Sequence, residues 1–279
     1  MNHEKVSWLA KTAFNETLFG EQHPYGYTTG ETDISALDSS SIKQFYQQHY
    51  PIDKATIIVS GKINEEVIRA INKKLGSIKI DPGKNKNPSF IHVAENTSVK
   101  KIIDKKDAVQ CGIRIGKKLF SKNHPDYAAL QIANTILGGY FGSRLMSNIR
   151  EDKGYTYGIG SGFHPHLHSG YFYITTEVGM DVRNAALQEI YFELKRMATE
   201  PVPEAELSLV RNYLVGAFQR SLDGPFSLSD RFRGLHLFNL DYDYLDSYLQ
   251  LVQTITPEKV MEISARHLQP DSMTEIVAG

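Results

Sequence analysis

Residues 137–162 read LGGYFGSRLMSNIREDKGYTYGIGSG, and this stretch decides the fold. The pair Gly138-Gly139 opens a short helical segment that carries Arg144 and Arg150, and Lys153-Gly154 ends it with a turn signal. The aromatic and glycine run that follows, Tyr155–Phe163, predicts a strand. Arg150 and Tyr157 therefore stand seven residues apart across a helix-to-strand corner. Such a corner aims a guanidinium and a phenol at the same peptide backbone.

Working outward, Tyr171–Glu177 is the second arm of a hairpin begun by Tyr155–Phe163. Upstream, the patterns predict strands at Phe90–Val93 and Val109–Ile115 and helices at Asp126–Leu137 and Ser143–Arg150. Downstream the chain reads mostly helical. Helices run from Asp181 to Ala198, from PVPEAEL through Phe218, across Arg231–Phe238, and from the cap-and-proline signal Thr256-Pro257. MTEIVAG, at the end, is a last short strand.

The segment from Lys79 to Ser89, KIDPGKNKNPS, has the composition of a linker. It divides the chain into residues 1–80, a linker at 81–89 and residues 90–279. The first part reads helix (4–19), loop (GEQHPYGYTTGETD), helix (capped by Ser39–Ser41), strand (KATIIVSGKI) and helix (capped by Asn64). One strand is too little sheet for three helices. Its middle is matched in pattern by the chain's last segment: ITPEKVMEISARHLQPDSMTEIVAG repeats the order of SALDSSSIKQFYQQHYPIDKATIIVSG, a capped helix, a proline and an apolar strand ending in glycine. The chain thus holds one complete unit and one incomplete copy of it.

Composition narrows the function. With 279 residues and a net charge of -1, the chain has no basic excess to bind nucleic acid. No apolar run approaches the ~20 residues that span a bilayer. The single cysteine, Cys111, sits in the strand-like VQCGIRI and reads as a small buried residue. The start, MNHEKVSWLAKTAF, has no signal-peptide core. It implies a cytoplasmic protein if Met1 is the true start, and leaves a periplasmic parent open if the chain is a fragment.

LFGEQHPYGYTTGE with IIVSG, and LGGYFGSRLMSNIREDKGYTYGI, together resemble the insulinase/pitrilysin-type zinc peptidases, the inverzincins, in their short bacterial form. The resemblance covers the back part of a first α/β domain and the whole of a second. It implies an α+β fold, a two-layer α/β sandwich of the insulinase-like type, with a mostly antiparallel sheet and helices packed on one face. It also implies that two domains close around a peptide. In that family one domain carries zinc on an H-x-x-E-H helix, and the other contributes an Arg and a Tyr that touch the substrate. Carried over, these are Arg150 and Tyr157, with Gly138, Gly139, Phe141 and Tyr155 beside the peptide. A fixed guanidinium holds a carbonyl through planar donors, and a phenol donates to a developing oxyanion.

None of the ten histidines begins H-x-x-E-H or H-E-x-x-H. No zinc is therefore expected in this chain, although the complete enzyme would hold one, and the chain alone is expected to be inactive. Glu4 and Glu16 are the only glutamates near the place of the family's downstream ligand. The alternating His164, His166 and His168 fall at a hairpin tip, where they read as solvated. GGYFGSR lacks the spacing of a phosphate loop and reads as a tight turn beside a cleft.

Three readings follow. The chain is the substrate-binding portion of a zinc metalloendopeptidase whose zinc-bearing domain lies elsewhere. Alternatively, it is a natural non-catalytic subunit that supplies Arg150 and Tyr157 in trans, or an inactive homologue that binds peptide or protein. Residues 1–80, lacking half of their sheet, are expected to expose Phe14, Leu18, Phe45, Ile57 and Val59 and to drive homo-oligomerisation or domain exchange.

Overall fold

The computed structural model describes residues 5–50, 55–76, 78 and 98–279. The expected strand at 90–93 and the linker at 81–89 lie outside them. The described residues form two compact units. One comprises 5–27, 98–219 and 235–279, and the other 28–50, 55–76, 78 and 220–234.

The larger unit is built on five strands: β1 (Lys100–Ile103), β2 (Gln110–Leu119), β3 (Ile159–Pro165), β4 (Gly170–Gly179) and β5 (Thr274–Ala278). Their order is β1-β5-β2-β4-β3, with β1 parallel to β5 and every other neighbour antiparallel. The period-two alternation of β2 explains its place. Cys111, Ile113 and Ile115 point into the main core, at most 1% exposed, while Gly112, Arg114 and Gly116 take the other face. Each buried isoleucine contributes about 1.5–3 kcal/mol relative to an exposed one.

Helices α5 (Tyr127–Asn134), α6 (Arg183–Thr199), α7 (Glu204–Arg220), α9 (Asp243–Thr254) and α10 (Pro257–His267) cover that core. They contribute Leu130, Ile132, Ile190, Leu194, Val210, Val252 and Ile263, among others. This is the α+β sandwich expected from the sequence, with a mostly antiparallel sheet.

Helix α1 (Val6–Phe19) lies on the opposite face. Ala10, Ala13, Phe14, Leu18 and Phe19 bury themselves there against Tyr171, Ile276 and Ala278. Two glycines make the approach close. A Cβ on Gly112 would come within 2.7 Å of the Val6 carbonyl group, and one on Gly116 within 2.9 Å of the Phe14 ring. Phe14 and Leu18, expected to be exposed, are 0% and 2% accessible because this sheet covers them.

The loop after α1 lies on the tip of the β3–β4 hairpin. Tyr25 stacks on His166 with ring centroids 3.8 Å apart and planes 8° from parallel, and His164 stacks on Tyr171 at 5.2 Å. The tip histidines at 164 and 166 are therefore held in an aromatic cluster rather than simply solvated. Burial, followed by the neighbouring His164 and His23, lowers the pKa of His166 to about 4.

The smaller unit contains α2 (Glu31–Ser35), α3 (Ser39–His49), α4 (Glu65–Ile71) and most of α8 (Gly224–His236). Asp38 and Asn64 cap α3 and α4 by accepting from the N–H groups of Ser41 and Val67. The expected strand KATIIVSGKI does not form: residues 55–60 have no regular structure, and Ile57 and Val59 are 49% and 40% exposed. A strand is stable only beside neighbours, and none pairs with this segment among the described residues. Phe45 is also exposed, as expected. Of the two segments matched in pattern, only the last forms its strand among the described residues, where β5 lies between β1 and β2.

Candidate functional site

The site is built on a helical segment, residues 144–152, whose Met146–Asp152 portion is π-helical. Leu145, Met146 and Ile149 face the core, which turns Arg150 toward the surface. The Lys153, Gly154 and Tyr155 N–H groups donate back to the carbonyls of Asn148, Arg150 and Ile149. Gly154 has a φ of +67°, a left-handed turn that favours glycine. Residues 155–158 are thereby drawn back along the helix end, so Tyr155 and Tyr157 lie in the turn and β3 begins only at Ile159.

Thr156 fixes this turn. Its hydroxyl lies 2.7 Å from the Glu177 carbonyl, 3.1 Å from the Gly158 N–H and 2.9 Å from the Thr176 hydroxyl. With the backbone pinned on both sides, Tyr157 projects outward and is 91% exposed.

The structure brings together three of the residues singled out in the sequence. The Arg150 guanidinium carbon lies 4.8 Å from the Phe141 ring centroid and 5.2 Å from that of Tyr157. Each contact is worth about 0.5–1 kcal/mol at an exposed position. Among the described residues no carboxylate pairs with Arg150, so the planar donors between the two rings are free for a ligand. Tyr155 is half-buried beside them. Gly139 is exposed, whereas Gly138 is buried against β3, where a Cβ would fall 2.5 Å from the Ser161 hydroxyl. Gly138 thus permits close packing and does not line the cavity.

A cavity of about 550 Å³ opens next to this corner, lined by Ser7, Gln110, Gly154–Gly158, Thr175, Thr176 and Glu177. Sequence reasoning missed Thr156, Thr175 and Glu177. The alternation along β4 was the available signal, since it sends Thr175 and Glu177 to the face away from the main core.

Among the described residues no three His, Cys, Asp or Glu side chains converge to hold a metal. His164 and His166 have their rings engaged with Tyr171 and Tyr25. No described helix is long and apolar enough to cross a membrane.

Comparisons with known proteins identify the family. The family described as the peptidase M16 inactive domain matches residues 36–214. An uncharacterized zinc protease of Bacillus subtilis, YmxG, is 24% identical over 259 residues, covering 92% of this chain and 62% of its own. The Helicobacter pylori protein named non-peptidase homolog YmxG is 21% identical, covering 96% and 62%. The crystal structure of a peptidase M16 inactive domain from Pseudomonas fluorescens superposes with a TM-score of 0.88 at 25% identity, over 100% of this chain and 66% of that one. The chain therefore spans about three fifths of the length of these curated relatives. It belongs to the peptidase M16 family, the insulinase-type family its sequence resembles, and represents that family's inactive domain.

Proposed function

We propose that this chain is the substrate-holding, non-metal portion of an insulinase-type zinc metalloendopeptidase, and that Arg150 and Tyr157 grip the peptide near the bond to be cut. The observation that carries this reading is the Arg150 guanidinium, set against both Phe141 and Tyr157 with no carboxylate partner among the described residues. Arg150 donates two planar hydrogen bonds to a substrate carbonyl, and the stacked rings keep it from turning away. The Tyr157 phenol donates to the substrate oxygen as negative charge builds on it. The hydrolytic metal chemistry belongs to a zinc-bearing domain or subunit, supplied from outside these residues.

The exposed apolar side chains Ile42, Phe45, Ile57, Val59 and Ile63 of the smaller unit support this reading, because they are left for such a domain to cover. The relatives' additional length supports it as well. The linker at 81–89 is then the joint between a partial first domain (1–80) and a second (90–279).

The test is reconstitution. The full chain, mixed with an H-x-x-E-H-bearing portion from the same gene or a neighbouring one, restores peptide hydrolysis. Arg150→Ala lowers that rate about 100-fold, and Tyr157→Phe lowers it about 10- to 100-fold. Chelator-sensitive hydrolysis by this chain alone would overturn the reading.

A second reading is favoured by the relative named as a non-peptidase homolog. In it the chain binds peptide or protein and takes part in no cleavage. Peptide binding that persists, with no hydrolysis under any reconstitution, distinguishes it.

A further inference from the structure

The cavity beside Tyr157 differs in its lining from a larger one that borders the helix of Arg150. The larger cavity, about 1070 Å³, is lined by three ion pairs, Arg144 with Glu206, Arg196 with Glu193 and Lys153 with Glu189, together with Asp152. The smaller one contains a single charged side chain, Glu177, and no lysine or arginine. Among the described residues no cation pairs with the Glu177 carboxylate. Its backbone is engaged, since its carbonyl accepts from Thr156.

The rest of the lining has the same character. Tyr155 and Tyr157 supply aromatic rings with electron-rich faces, and Ser7, Gln110, Thr175 and Thr176 supply neutral oxygens. An unpaired carboxylate, two phenol rings and several acceptors make an environment for a cation. A guanidinium or ammonium placed there meets attraction from the carboxylate and the rings together. An acidic side chain meets repulsion from the Glu177 carboxylate.

We propose that this cavity is a side-chain subsite that selects arginine or lysine in the bound peptide, with Glu177 as its specificity-determining residue. The proposal rests on the reading that Arg150 and Tyr157 hold an extended peptide. A peptide whose backbone lies at Arg150 and Tyr157 has this cavity within reach, because Tyr157 belongs to both the corner and the cavity wall. The subsite makes the chain favour basic peptides and disfavour acidic ones.

The experiment measures fluorescence anisotropy of labelled nonapeptides with the full 279-residue chain. One set carries a single arginine moved stepwise along an otherwise neutral sequence. A matched set carries citrulline, which keeps the shape and removes the charge. At one position the arginine peptide binds about five- to tenfold tighter, a preference that shrinks as salt is raised. Glu177→Gln removes the preference and leaves the citrulline peptide's affinity within about twofold, while Glu177→Lys turns it toward a glutamate peptide. Glu177 is exposed, so both variants are expected to keep the wild-type melting temperature. Equal binding of both sets, or a preference that survives Glu177→Gln, overturns the subsite. Arg150→Ala reports on the reading beneath it by weakening both sets alike. If both sets bind equally and Arg150→Ala still weakens them, the subsite alone falls. If no peptide binds at millimolar protein, the peptide-holding reading fails and the subsite with it.

Discussion

Arg144 and Glu206 face each other in a parallel, two-bond pair, with Nε 2.9 Å from one carboxylate oxygen and Nη2 2.8 Å from the other. The arginine side chain is only 6% exposed, and the pair ties the helix of Arg150 to the first turn of α7. Its strength lies less in net attraction than in the cost of breaking it, since removal of one partner strands a buried charge. Glu206→Ala is therefore expected to lower stability by about 2–4 kcal/mol in urea unfolding. The double change Arg144→Met with Glu206→Leu should recover most of that loss, because two apolar groups leave no charge without a partner.

A second expectation concerns helix α1. Gly112 leaves no room for a methyl group beneath Val6, where the obstacle is backbone and cannot rotate aside. Gly112→Ala should lift the helix from the sheet and cost more than about 1–3 kcal/mol, the usual range for overpacking. Hydrogen exchange of residues 6–19 reads this directly: amides there should exchange faster, while those of α6 stay protected.

Acid should loosen the loop on the hairpin tip. An unfolded imidazole takes up a proton near pH 6.5, but buried His166 does so only near 4, so between these values the unfolded chain binds more protons. Stability is therefore full above about pH 6.5 and is lost as the pH falls toward 4. His164 is displaced in the same direction by burial and then by Lys11 and Arg114. The loss due to His166 is about 1–2 kcal/mol after discounting for its partial exposure. His166→Phe keeps a ring against Tyr25 and should flatten the fall in melting temperature between pH 7 and 5.

The exposed apolar side chains of the smaller unit predict association. Phe45, Ile57, Val59, Ile63 and Ile68 are 40–56% exposed, and such patches are normally covered. Light scattering of the isolated chain should show a concentration-dependent rise in mass. Replacing Ile57 and Val59 by lysine should reduce it. A strictly monomeric profile would count against the missing-domain reading.

What the sequence made legible was local. The corner joining Arg150 to Tyr157 depends on a glycine turn and on core positions within a few residues of each other, and it forms with the strand starting four residues later than expected, at Ile159. Helix α10 has its own cap and first-turn proline, Thr256 and Pro257, and needs no distant partner to be read. Long-range partners were hidden. KATIIVSG has the β-branched composition of a strand, yet composition cannot supply the neighbours that would hold it. His166 looked like a solvated tip residue because its stacking partner, Tyr25, comes from far away in the sequence. Helix α1 was amphipathic on inspection, but only the Gly112 and Gly116 contacts reveal which sheet it lies on. Within the site, the two tyrosines were visible as a motif, whereas Glu177 acquires its meaning only once β4 sets it beside them.

The place of β5 in the sheet has a consequence for synthesis. The strand that joins β1 to β2 is the last of the five to leave the ribosome. Until it arrives, β2, β4 and β3 can form a three-stranded sheet in which the β2 edge that β5 will cover lies open, and β1 has no described partner at all. Translation adds about 5–20 residues per second, so this edge stays open for many seconds while four of the covering helices are made. A nascent chain in that state is a natural client for chaperones that shield unpaired strands. Slowing translation ahead of residue 274 should lengthen this vulnerable interval and favour aggregation over folding.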